Sequence, residues 1–98
     1  MKYDVYWTST AENTLDSILE IIESKWGEAS AKKFIKAVKK NIDLISENPH
    51  LFKASFPKNV RKCVITKQTS VFYEVSLNND VYLLYFWDNR QDSLINID

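Results

Sequence analysis

Residues 81–87 read VYLLYFW, seven apolar or aromatic side chains with no polar alternation. A strand of that composition is apolar on both faces and is expected in the middle of a sheet. Two further β-branched and aromatic runs precede it, at 60–66 and 71–76. The spacers are Lys67-Gln68-Thr69 and Asn78-Asn79-Asp80, short and polar, so the last third of the chain is expected to form an antiparallel meander.

Upstream the apolar period changes from continuous to helical. Leu15, Ile18, Leu19, Ile22 and Trp26 form one stripe, and Ala31, Phe34, Ile35, Val38, Ile42 and Ile45 form a second. Between them stands Gly27, the only glycine, where a helix C-cap calls for a left-handed residue. Ser9 and Glu12 match a capping box, so the first helix is expected over about residues 10–26. Pro49 closes the second helix after Asn48. Two such helices make an antiparallel hairpin. Tyr3, Val5 and Trp7 alternate with Lys2, Asp4 and Tyr6 as a short strand, and residues 49–59 read as a loop anchored by Leu51, Phe52 and Phe56. The expected fold class is α+β: an N-terminal strand, a helical hairpin, then a three-stranded antiparallel meander, with both helices packed on one face of the sheet. No repeat or linker divides residues 1–98, so a single domain is expected.

Composition narrows the function. Thirteen Lys and Arg balance thirteen Asp and Glu, a balance that disfavours direct nucleic-acid binding, because phosphate neutralisation supplies most of its affinity. Cys63 is the only cysteine, so no internal disulfide forms, in keeping with a reducing compartment. The start MKYDVYW lacks a signal-like apolar run, and no stretch approaches the ~20 apolar residues of a membrane span. A soluble cytoplasmic protein is the expectation. The single His50 has no partner at ligand spacing, and one glycine leaves no phosphate loop, so neither metal nor cofactor is expected.

Several features follow one another along the chain: a short aromatic strand, a Ser-x-x-Glu-x-x-Leu helix start at Ser9 to Leu15, and a helix ending in Trp26-Gly27. A second helix closes in Asn48-Pro49, and the remaining marks are Arg61, the pair Phe72-Tyr73, and Asp88 and Arg90 beyond the final strand. In this order they resemble the RelE/ParE superfamily of bacterial toxins, and the resemblance spans nearly the whole chain. It implies the toxic half of a type II toxin–antitoxin pair, silenced by a cognate antitoxin wrapped around its surface. RelE-like members cut messenger RNA on the ribosome, and ParE-like members poison DNA gyrase.

The resemblance also implies what a cutter carries: several basic or imidazole groups on the sheet and a tyrosine or histidine near the C-terminus, able to move protons and hold negative charge. This chain matches only in part. Arg61 stands where one basic residue is expected, Ser70-Val71 precede Phe72-Tyr73 where cutters often have arginine, and no Tyr or His follows Arg90. The leading expectation is a non-enzymatic ParE-like toxin. The alternatives are an atypical ribosome-dependent endoribonuclease using Arg61, Lys67 and Arg90, and a degenerate member that binds its antitoxin and represses its operon. A basic sheet face, with help from the 51–59 loop, favours the nuclease; an apolar one favours the ParE-like reading.

Each candidate also has a plainer reading. Arg61 either holds a phosphate or carboxylate or pairs with a neighbouring acid, and Arg90 either binds or pairs with Asp88. Lys32, Lys33, Lys36, Lys39 and Lys40 form a solvated helix face or a dock for an acidic antitoxin segment, with Lys32, Lys36 and Lys40 the residues chosen for that role. Trp26 and Phe52 are candidate aromatic anchors beneath the antitoxin, although tryptophans are more often core. Cys63 reads as a buried thiol.

Overall fold

A computed structural model of the chain describes residues 2–54 and 60–89. The elements are β1 (Asp4–Trp7), α1 (Ser9–Trp26), α2 (Glu28–Glu47), a 3₁₀ turn (Pro49–Leu51), β2 (Val60–Thr66), β3 (Thr69–Val75) and β4 (Asp80–Asp88). The strands form one sheet in the order β1-β4-β3-β2. The two meander pairings are antiparallel, whereas β1 returns to lie parallel to β4. The apolar 81–87 run is therefore central, as its composition requires.

α1 packs mainly over β4, and α2 packs against β2. Between this helical layer and the sheet lie Leu15, Phe34, Val38, Ile45, Cys63, Val71, Tyr73, Val81, Leu83 and Phe86, all buried. The Cys63 thiol sits among them, donating to Asn41 Oδ1 at 3.6 Å. Burial pushes its pKa up to about 11, so it is inert at neutral pH.

Three local expectations are corrected. The N-cap of α1 is Thr8, whose Oγ1 accepts from Ala11 N at 3.1 Å; Ser9 is already the first helical residue. Thr8 wins because it also reaches the sheet, donating to the Leu83 carbonyl at 2.7 Å. Gly27 has φ +91 as a helix break demands, but ψ 176 is extended rather than left-handed helical, so one residue closes α1 and opens α2. Leu51 is 62% exposed and anchors nothing, because the 3₁₀ turn points it outward, whereas Phe52 is half-buried edge-on to Tyr73 at 6.4 Å. Phe56 lies outside the described residues.

Beyond the last β1 pairing, Trp7 with Leu83, β4 leans on α1 for its backbone partners. Thr14 Oγ1 accepts from Phe86 N at 2.9 Å, and Thr8 Oγ1 is also 3.1 Å from the Leu84 carbonyl. Leu84 is an extra residue in β4, since Phe72 faces Tyr85 while Tyr73 faces Leu83. The turn into β4 is held by Ser76 Oγ, which accepts from Asn78 N and Asp80 N, with Asn79 at φ 66, a conformation asparagine tolerates well.

Candidate functional site: an open aromatic sheet face and two helical grooves

Cross-strand partners share a face, so the register sorts the side chains. The rows Cys63–Val71–Phe86 and Arg61–Tyr73–Leu83–Trp7 point toward the helices. The rows Lys62–Phe72–Tyr85 and Val60–Glu74–Tyr82–Tyr6 point away. No described element covers that second face. Its rings stack: Tyr6 on Tyr82 at 5.4 Å and Phe72 on Tyr85 at 4.9 Å, with Trp87 edge-on to Tyr85 at 6.3 Å. Lys62 lies over Phe72 at 5.9 Å. Tyr6, Tyr82 and Val64 remain exposed.

Among the described residues the charges on this face are mostly negative. Asp4 pairs with Asp80 in the row beyond Tyr6 and Tyr82, and Glu74 sits beside Tyr82. Lys62 is the only basic side chain in these rows. Asp80, then Asp4, raise the pKa of the Tyr6 phenol above its ordinary value, with smaller contributions from burial and Tyr82. A phenol held protonated by carboxylates is a poor general base near neutrality, and the same carboxylates repel a phosphate.

The residues proposed for catalysis do not assemble on this face. Arg61 projects to the helix side, where Nη1 donates to the Phe52 carbonyl at 2.6 Å. Lys67 is exposed in the β2–β3 turn. Arg90 lies outside the described residues, as do residues 55–59 of the loop. Tyr73, another conceivable proton carrier, is buried, with its hydroxyl donating to the Pro49 carbonyl at 2.6 Å. Burial first, and then Cys63, push its pKa up while Arg61 opposes them, so it stays neutral. Tyr85 does face the open side. Among the described residues no group of His, Cys, Asp and Glu is arranged to hold a metal. No described helix is long and apolar enough to cross a membrane.

The antitoxin-facing candidates divide between surfaces. Lys32 and Lys36 line a groove along the outside of the helical hairpin, together with Leu19, Ala31, Ile35, Lys39 and the acids Glu23 and Glu28. Lys32 also pairs with Glu28 at 3.6 Å, both largely exposed. Lys40 is exposed but does not line that groove. Trp26, 55% exposed and so not a core residue, lines a second groove with Ile22, Phe34, Ala37, Thr66 and Gln68. Phe52 follows the other end of α2, which at 20 residues separates it from Trp26 by about 30 Å. The stacked open face was not read from the sequence; its signal was the density of tyrosine, but the register that gathers those rings is not local.

Against known proteins, residues 5–93 match the family model for the ParE toxin of the type II toxin–antitoxin system parDE. No curated protein matches the chain. Among solved structures it is similar to a chain of the chromosomal ParDE toxin–antitoxin system of P. aeruginosa, with a TM-score of 0.75 and 18% identity over 89% of this chain and 96% of that one. It is also similar to a chain of the toxin–antitoxin complex RelBE2 of Mycobacterium tuberculosis, with a TM-score of 0.63 and 15% identity over 90% of this chain and 99% of that one. At those identities the structural likeness speaks for the fold, and the sequence match carries the family. With its strand, helical hairpin and meander in the same order, the chain belongs to the ParE toxin family of type II toxin–antitoxin systems.

Proposed function

We propose that this toxin acts by binding and inhibiting an essential target, DNA gyrase, rather than by cutting RNA, and that a cognate antitoxin neutralises it. The observation that carries the reading is the character of the open sheet face. A metal-free ribonuclease has to hold a phosphodiester, stabilise its developing charge and transfer protons. Here stacked rings stand in that position, with Asp4, Glu74 and Asp80 against Lys62. A surface of stacked rings, exposed at Tyr6 and Tyr82 and half-buried at Phe72, Tyr85 and Trp87, with a few fixed charges, suits recognition of another protein.

The antitoxin half of the proposal draws on the two structural relatives, which both come from toxin–antitoxin systems. It also draws on the outer groove, where Leu19, Ala31 and Ile35 are rimmed by Lys32, Lys36 and Lys39, three lysines against the two acids Glu23 and Glu28. An amphipathic segment carrying acids fits such a groove, its apolar side chains buried and its carboxylates steered by the lysines.

The test is expression without the antitoxin, reading DNA supercoiling and translation separately. The expected outcome is growth arrest with relaxed plasmid or gyrase-linked DNA breaks, and uncut message on programmed ribosomes. Losing a general acid or base costs ~10²–10⁴-fold in rate and losing a charge stabiliser costs about 10²–10³-fold, so little cleavage remains when both are missing. Codon-positioned cuts abolished by Arg61→Ala or Arg90→Ala would overturn the proposal in favour of the endoribonuclease. Normal growth under strong expression of soluble protein would leave only operon repression.

A further inference from the structure

Arg61 is the most conspicuous charge that the toxin reading leaves unused. Among the described residues its guanidinium makes one hydrogen bond, from Nη1 to the Phe52 carbonyl, and no ion pair. Its Nε is buried without an acceptor. Buried donors in folded proteins are almost always satisfied, and an orphan carries the full cost of its lost hydration. The position is also costly for the charge, since a half-buried cation is normally matched by a nearby acid.

The described residues around it supply no such acid. Arg61 lines a cleft of ≈ 260 Å³ between the 3₁₀ turn and the β3–β4 hairpin, together with His50, Val75, Ser76, Leu77 and Asn79. None of these is acidic. His50 is exposed at the mouth, and Leu77 stands wholly free of the protein surface on the hairpin turn. That turn is itself braced, because Ser76 Oγ binds two of its amides. The Phe52 carbonyl holds the guanidinium in place through Nη1, and Nε is enclosed by protein, so a ligand meets Arg61 only along the edge that lines the cleft.

From this arrangement we propose that the Arg61 cleft is a carboxylate-binding site, occupied by an aspartate or glutamate side chain of a protein partner, with Leu77 packing against an apolar neighbour of that acid. Two oxygens of a carboxylate match the fork of a guanidinium, and the pair gains because half-burial has already stripped Arg61 of part of its water. An apolar rim around a cationic centre is how protein interfaces concentrate affinity, since the rim keeps solvent from the polar contact. A nucleic-acid phosphate fits less well, because the described lining holds one guanidinium, one imidazole and two apolar side chains rather than a basic track. The site is independent of which target the toxin poisons.

The experiment is an NMR titration of the full-length, ¹⁵N-labelled chain, following the arginine Nε–H signals and the Ser76 and Asn79 amides. The probes are a blocked tetrapeptide with glutamate between two leucines, its glutamine counterpart, and inorganic phosphate. The expected result is saturable shifts at Arg61 and the hairpin with the glutamate peptide, weakened by about tenfold or more with glutamine, the factor a charged hydrogen bond supplies. Arg61→Gln, which removes the charge, should lose that discrimination. Should that variant fail to fold, His50→Gln, an exposed change, should still weaken the glutamate peptide severalfold. No saturable shift with the glutamate peptide, or equal binding of both peptides, would overturn the proposal. Saturation by phosphate with the glutamate peptide silent would replace it with a phosphate site.

Discussion

Replacing Thr8 by alanine tests how the helical layer is fastened to the sheet. Its Oγ1 caps α1 by accepting from Ala11 N at 3.1 Å and donates to the Leu83 carbonyl at 2.7 Å. Losing an N-cap hydroxyl costs about 1 kcal/mol. Losing the second hydrogen bond costs ~0.5–1.5 kcal/mol net. No orphan penalty is added for Leu83, because the Thr8 backbone N–H still donates to that carbonyl at 3.3 Å. Thr8→Ala should therefore lose about 2 kcal/mol, and at roughly 4–8 °C per kcal/mol for a domain of this size the midpoint should fall by about 8–16 °C. Ser9 makes no side-chain hydrogen bond among the described residues, so Ser9→Ala should stay within ~0.5 kcal/mol of the parent. Thr8→Ser should recover most of the loss, since serine caps at least as well. Urea unfolding followed by helical circular dichroism gives all three values. A Ser9→Ala loss equal to or greater than that of Thr8→Ala would refute the assignment of the cap and of the tie to β4.

Three further outcomes follow from particular contacts. Tyr73→Phe keeps the ring in the core but leaves the buried Pro49 carbonyl without its donor, so equilibrium unfolding should show a loss of about 1–3 kcal/mol. Stability should decline in alkali: the Cys63 thiol is raised to about 11 in the folded chain from ~8.5 unfolded, so its contribution is complete below the lower value and lost as pH climbs toward the upper one. Cys63→Ala should flatten that part of the profile, and a slope unchanged by the substitution would assign it elsewhere. Reversing Lys32, Lys36 and Lys40 together to glutamate should slow association with the antitoxin by about tenfold at low salt and remove most of its salt dependence, measured by stopped flow.

Periodicity and punctuation alone settled the order of elements. The stripes from Leu15 to Trp26 and from Ala31 to Ile45 became α1 and α2 because each has an apolar face only a second layer can bury, and Gly27 with Pro49 marked their ends. The uninterrupted 81–87 run became the central strand between β1 and β3, with one face against the helices and the Tyr82–Tyr85 face uncovered by any described element, against the expectation that both would be hidden. The family, too, was legible in the order of short motifs. Contacts between distant residues decided the rest. Whether Thr8 or Ser9 caps α1 depends on which hydroxyl reaches β4, some 75 positions away in the chain. The parallel return of β1 beside β4 has no local signature, because strand partners are chosen by the path of the intervening hairpin. Strict alternation would put Tyr82 and Tyr85 on opposite faces; the extra residue Leu84 puts both on the open one, and the aromatic surface exists only through that irregularity. Arg61 shows the same division: its place on a strand was readable, but the register turned it beneath Phe52, with its Nε lacking an acceptor.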